Sequence, residues 1–97
     1  MLYFIDTNIF LRVLVREDEK IFKECWQILS LVRQNKIKAF ASTLVLSEID
    51  WVLESFYKFS KEKVIAGLTS VLKLKNLKIA DRVNPLLALE FYEKFSI

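Results

Sequence analysis

The chain opens on an apolar run, Leu2-Tyr3-Phe4-Ile5, that stops at Asp6-Thr7-Asn8 and resumes at once through Ile9-Phe10-Leu11-Arg12-Val13-Leu14. A short apolar run followed by helical periodicity predicts a buried strand over 2–5 and a helix over 8–16. Glu17-Asp18-Glu19 places acid at the start of a second helix, where the macrodipole favours it. Ile21, Cys25, Ile28 and Val32, with Phe22 and Leu29 alongside, carry that helix to Gln34-Asn35. Residues 37–41 alternate polar and apolar and predict a second strand. Ser42 or Thr43 then caps a third helix, which carries Leu44, Val45, Glu48, Ile49, Val52, Leu53 and Phe56. Ser60 caps a fourth helix with Val64, Ile65, Leu68, Val71 and Leu72 as its buried stripe. Residues 76–80 read as a third strand, and Asn84-Pro85 opens a fifth helix lined by Leu87, Ala88, Phe91 and Phe95.

The predicted order is βααβααβα. Strands separated by helices imply an α/β fold, a small parallel sheet with helices on both faces. Residues 1–97 are read as a single domain. An apolar share of 54%, with eight Phe and two Trp, supplies a core and excludes disorder. One Gly and one Pro leave little material for turns of unusual geometry. Cys25 has no intramolecular partner and reads as a small structural thiol. Asp6 interrupts the apolar start, so no signal peptide is expected, and no apolar run approaches a membrane span; a cytoplasmic setting is expected. The absence of histidine excludes Ser-His-Asp and Cys-His catalysis, and zinc sites of the usual His/Cys type. Hydrolytic chemistry must then run on carboxylates, hydroxyls or oxygen-bound metals.

Ligands of open α/β sheets sit beyond the carboxyl ends of the strands, and Asp6 occupies such a place. If the first two strands are neighbours, the helices after both begin at the same sheet edge. Glu48, just over one turn into the third helix, then projects toward the crevice that Asp6 borders. Two converging carboxylates beside helix N-termini form a candidate Mg²⁺ site, because that ion takes oxygen ligands and keeps several waters. Asp6 also reads as an ordinary helix cap satisfying the amides near Ile9. Glu48, flanked at helical spacing by Leu44 and Val52, sits within or beside an apolar face. Asp50, Glu54, Glu62 and Glu90 read as solvated positions, and Asp81, ending the third strand, is a secondary candidate. Thr7 and Asn8 read as cap residues or as supports orienting Asp6 or a metal-bound water.

A net charge of +3 is compatible with a polyanionic partner. Arg12 and Arg16 fall four apart on the first helix, and Arg12 is the phosphate-contact candidate. Lys58, Lys61 and Lys63, and Lys73, Lys75, Lys78 and Arg82, read as solvated groups.

Phe4-Ile5-Asp6-Thr7-Asn8-Ile9-Phe10-Leu11 and Ser42-Thr43-Leu44-Val45-Leu46-Ser47-Glu48-Ile49 together resemble the first two acidic motifs of PIN-domain nucleases, with the closest look to VapC-like toxins of toxin–antitoxin pairs. The resemblance runs along essentially the whole chain. It implies a Mg²⁺- or Mn²⁺-dependent endoribonuclease with Asp6 and Glu48 as catalytic and metal-holding acids, and with Thr7 and Asn8 in support. It also implies an RNA substrate, an antitoxin whose segment lies across the active site, and a homodimer. Such domains carry a further acidic motif after the region where this sequence ends, and Glu90-Phe91-Tyr92-Glu93-Lys94-Phe95-Ser96-Ile97 resembles its lead-in. A C-terminally truncated domain is therefore expected, weak or inactive in catalysis, with an unpaired edge on the first strand that invites a domain-swapped oligomer. The alternatives are a non-catalytic antitoxin- or RNA-binding module, and a structural remnant.

Overall fold

The computed structural model describes residues 2–80. Strand β1 (Leu2–Phe4) leads into helices α1 (Thr7–Leu14) and α2 (Glu19–Arg33), and strand β2 (Lys38–Ala41) follows. Helices α3 (Thr43–Ser55) and α4 (Lys61–Leu72) then connect to strand β3 (Leu77–Ile79). The strands form one parallel sheet in the order β1-β2-β3. Leu2, Tyr3 and Phe4 lie opposite Lys38, Ala39 and Phe40, and Ala39 to Ala41 lie opposite Leu77 to Ile79. The α/β fold with a small parallel sheet is as expected, although the four described helices cover one face of it where both were expected to be covered. The fifth helix expected from Asn84-Pro85, and with it Asp81, Arg82 and Glu90, lies outside the described residues.

Each helix start has a local cause. Asp18, Ser42 and Ser60 occupy N-cap positions, and their side chains accept from the amides of Ile21, Val45 and Lys63 at 3.1, 3.3 and 3.3 Å. Each satisfies one of the amides that a helix start leaves without a partner. The single glycine lies inside α4, so turns needing a left-handed residue use other side chains: Asn35, Lys58 and Asn76 sit at φ 59°, 57° and 70°. Asn76 adds a bond of its own. Its Nδ2 donates to the Arg33 carbonyl at 2.8 Å, serving an orphan acceptor at the end of α2.

Two right-handed crossovers that step the same way across a sheet put both helix pairs on one face. The core agrees with that placement. Ala39 and Ala41, alternate residues of the central strand, are buried with Ile5, Phe10 and Leu11, with Leu29 and Val32 of α2, and with Val45, Ile49 and Leu53 of α3. Gly67 of α4 faces Leu14 of α1 and Leu53 of α3. Small residues on β2 leave room for this layer.

The other face carries Leu2 and Phe4, which are 58% and 50% exposed, and the Phe4 ring packs on Phe40 at 5.3 Å between centroids. The first strand is therefore not the buried one that its apolar run predicts. Among the described residues it is an edge strand, paired with β2 alone, and Leu2 and Phe4 point away from α1 to α4. Asp50 departs in the opposite sense. Expected in solvent, it is buried, because α3 packs against both α1 and α4 and so hides more than one stripe. Glu54 is half-buried for the same reason, and Glu62 stays exposed as expected. Cys25 is a buried free thiol. No described helix is long and apolar enough to cross a membrane.

Candidate active site at the carboxyl edge of the sheet

Because β1 and β2 are parallel neighbours, α1 and α3 begin at the same edge. The register that sets Phe4 opposite Phe40 brings Asp6 and Ser42 to equivalent places, each the N-cap of its helix. They use that place differently. Ser42 caps α3 through its hydroxyl, whereas the Asp6 side chain makes no capping bond. The Ile9 amide bonds instead to the Asp6 backbone carbonyl at 3.1 Å. Asp6 is thus in a cap position without its carboxylate being spent on the helix, which corrects the simple capping account. The carboxylate is exposed at the rim of the sheet.

Thr7, the first residue of α1, is buried, and its Oγ1 donates to Glu48 Oε2 at 2.6 Å. That length lies in the range of a hydroxyl bonded to an ionised carboxylate. It joins residues 41 positions apart in sequence and pins the Glu48 carboxylate beside the neighbour of Asp6. Glu48 is itself exposed, and Leu44, one turn before it, is 64% exposed. The apolar-face argument for Glu48 therefore fails on this side of α3, where Leu44, Glu48 and Trp51 form an outward row. What holds Glu48 in place is Thr7.

The donor set tests whether a cation fits. It is made of oxygen only, with one carboxylate uncommitted to its helix and a second steadied through a single oxygen. A hard divalent ion that accepts one or two carboxylates and keeps its waters fits these residues. Among the described residues there is no group of three or more His, Cys, Asp or Glu side chains placed to hold a metal.

Asn8 and Arg12 are exposed one turn apart on α1. They line a cavity of about 400 Å³ between α1 and α3, whose apolar wall includes Leu11, Val52, Phe56 and Tyr57. Sequence reasoning missed that wall, since it arises only when α1 packs across α3. Arg16 does not continue the Arg12 row on a helix, because α1 ends at Leu14. Its guanidinium bonds both oxygens of Glu19 at 2.7 and 3.0 Å and lies 4.0 Å from the Phe22 ring centroid. The hydrogen bond from Arg16 holds the Glu19 carboxyl below the usual range and raises Arg16 in turn. Lys58, Lys61 and Lys63 sit at the junction of α3 and α4 and Lys73, Lys75 and Lys78 around β3, all of them exposed.

No curated protein and no solved structure matches the chain. A family model described as the PIN domain matches residues 3–91, a span that contains Asp6, Thr7, Asn8, Arg12 and Glu48. With that match over most of its length, this chain belongs to the PIN-domain family.

Proposed function

We propose that this PIN domain is a metal-dependent endoribonuclease of the VapC-like toxin kind, working at the carboxyl edge of its sheet. The observation that carries the proposal is the Thr7–Glu48 bond, which holds one carboxylate next to the neighbour of another. Asp6 and Glu48 are the groups that hold Mg²⁺ or Mn²⁺, and Thr7 keeps Glu48 in position. Asn8 supports the site from the first turn of α1, and Arg12, one turn further, neutralises substrate phosphate. When bound, the ion polarises a phosphodiester and makes a water a better nucleophile. The described residues bring two carboxylates to this edge, and two hold such an ion weakly, so the expected cleavage of RNA by this chain is slow. An antitoxin as silencing partner, self-association as a homodimer or domain-swapped oligomer, and a cytoplasmic setting complete the proposal.

A second reading is favoured by the cavity beside the site. Its apolar wall of Leu11, Val52, Phe56 and Tyr57, with Arg12 at the rim, suits a protein segment in a non-catalytic interaction module. Metal linkage separates the two. A ligand that binds only the folded state stabilises it by mass action, so Mg²⁺ at about three times its dissociation constant raises Tm by roughly 3–6 °C. That rise should disappear in Asp6→Asn and shrink in Glu48→Gln, as should metal-dependent cleavage of an RNA transcript. A melting temperature indifferent to both Mg²⁺ and Mn²⁺, with no cleavage, supports the interaction module instead.

A further inference from the structure

We propose that the outer face of α2 is a stacking platform for a single RNA strand, continuous with the approach to the Asp6–Glu48 site. The proposal rests on the ribonuclease reading above and adds where the strand lies. Phe22 and Trp26, four residues apart, share one face of α2. Their rings are nearly parallel, 2° apart in orientation, with centroids separated by 6.5 Å. A guanidinium stands over each end of this pair. Arg16 lies 4.0 Å from the Phe22 centroid and Arg33 lies 5.9 Å from that of Trp26.

Burial separates this face from the core side of the helix. Cys25, Leu29 and Val32 carry the buried side of α2, whereas Trp26 is 42% exposed. An indole left in solvent adds little to folding, yet every nucleobase has a face that stacks on such a ring. The flanking charge suits phosphate. Arg16, Lys23 and Arg33 stand along this face with Glu19, and Glu19 is tied to Arg16. Arg33 lies at the outer limit of a cation–π contact, so its guanidinium loses little by turning to a phosphate.

The face also leads somewhere. The cavity beside the candidate site is lined by Asn8 and Arg12 of α1 and reaches Glu17, Asp18 and Ile21 at the start of α2. Arg16 lies in the bend between these helices. The Asp18 carboxylate is occupied by the Ile21 amide, and Glu17 is exposed in the same bend, so a strand passes on the Arg16 side. Asn8, Arg12 and Arg16 thereby connect the site to the Phe22–Trp26 pair.

The test uses the full chain carrying Trp51→Phe, which leaves Trp26 as the sole tryptophan. An oligothymidylate of about 15 nucleotides is titrated in EDTA, so binding is read without cleavage. Saturable quenching of Trp26 is expected, with affinity falling as salt rises. Trp26→Leu should weaken binding, followed by anisotropy of a labelled strand, by about five-fold or more. Arg33→Gln should weaken it and flatten its salt dependence, with circular dichroism confirming that both variants fold.

No binding, binding without quenching, unchanged affinity in both variants, or equal affinity for a duplex of the same length would each overturn the platform. Quenching without any metal-dependent cleavage of RNA retains the platform and rejects the nuclease reading. Cleavage with a silent Trp26 does the reverse.

Discussion

Thr7 decides more at the candidate site than its size suggests, because its hydroxyl ties the first turn of α1 to Glu48 on α3. Thr7→Val keeps the buried volume and removes the donor. A bond to a charged acceptor contributes about 1.5–3 kcal/mol, and the exposed Glu48 regains water, so the expected loss is near the low end of that range. The same variant should lower metal-dependent cleavage while keeping the fold, read by urea denaturation beside an RNA cleavage assay. Unchanged stability together with unchanged cleavage would sink the positioning role. Asp6 and Glu48 were legible as candidates from strand-end position and helical offset. Their connection through Thr7 was not, because a cap residue and a hydrogen-bond donor to a distant helix look alike in sequence. Asp50 and Arg16 were misread for a related reason: burial and ion pairing depend on which elements pack together, and local spacing carries neither.

At the scale of elements, helix starts were legible because their signals are local. Ser42 and Ser60 cap where expected, and each described helix and strand lies within two or three residues of its predicted bounds. The left-handed turns were harder, since Asn35, Lys58 and Asn76 do a task usually given to glycine. The one glycine sits instead in the interior of α4, where it costs stability relative to alanine. An added Cβ at Gly67 meets Leu14 and Leu53 methyl groups at 3.5–3.6 Å, ordinary van der Waals contact. Gly67→Ala should therefore stabilise the fold by about 0.5–1 kcal/mol, through helix propensity and reduced unfolded-state freedom. A urea midpoint that moves upward at constant slope is the expected result. A fall in the midpoint would mean that the contact of α4 with α1 and α3 is too tight for one methyl group.

At the scale of the whole molecule, the alternation of strands and helix pairs made the parallel sheet legible, and the family resemblance pointed to an unpaired edge on its first strand, whereas the exposure of that strand's side chains was not legible. An apolar run predicts burial on average, but sheet order decides which strand lies at an edge. Backbone geometry defines that edge closely. The Ile5 amide donates to the Phe40 carbonyl, so the residues two apart, Ile5 and Tyr3, direct their amides toward β2. Leu2 and Phe4 then direct their backbone groups the other way, along what is, among the described residues, an edge whose three side chains are 46–58% exposed. Such an edge is a template for another chain. Two copies pairing isologously through β1 would cover both edges at once. We therefore expect the protein to sediment as a dimer at concentrations on the order of tens of micromolar, a typical range for a modest interface. Leu2→Lys with Phe4→Lys places charge along that edge and should return the protein to monomer. The fold should survive with a small loss from the Phe4–Phe40 contact, since both side chains are at least half exposed. A parent chain that sediments as a single monomeric species, or a dimer indifferent to the two lysines, would remove β1 from self-association.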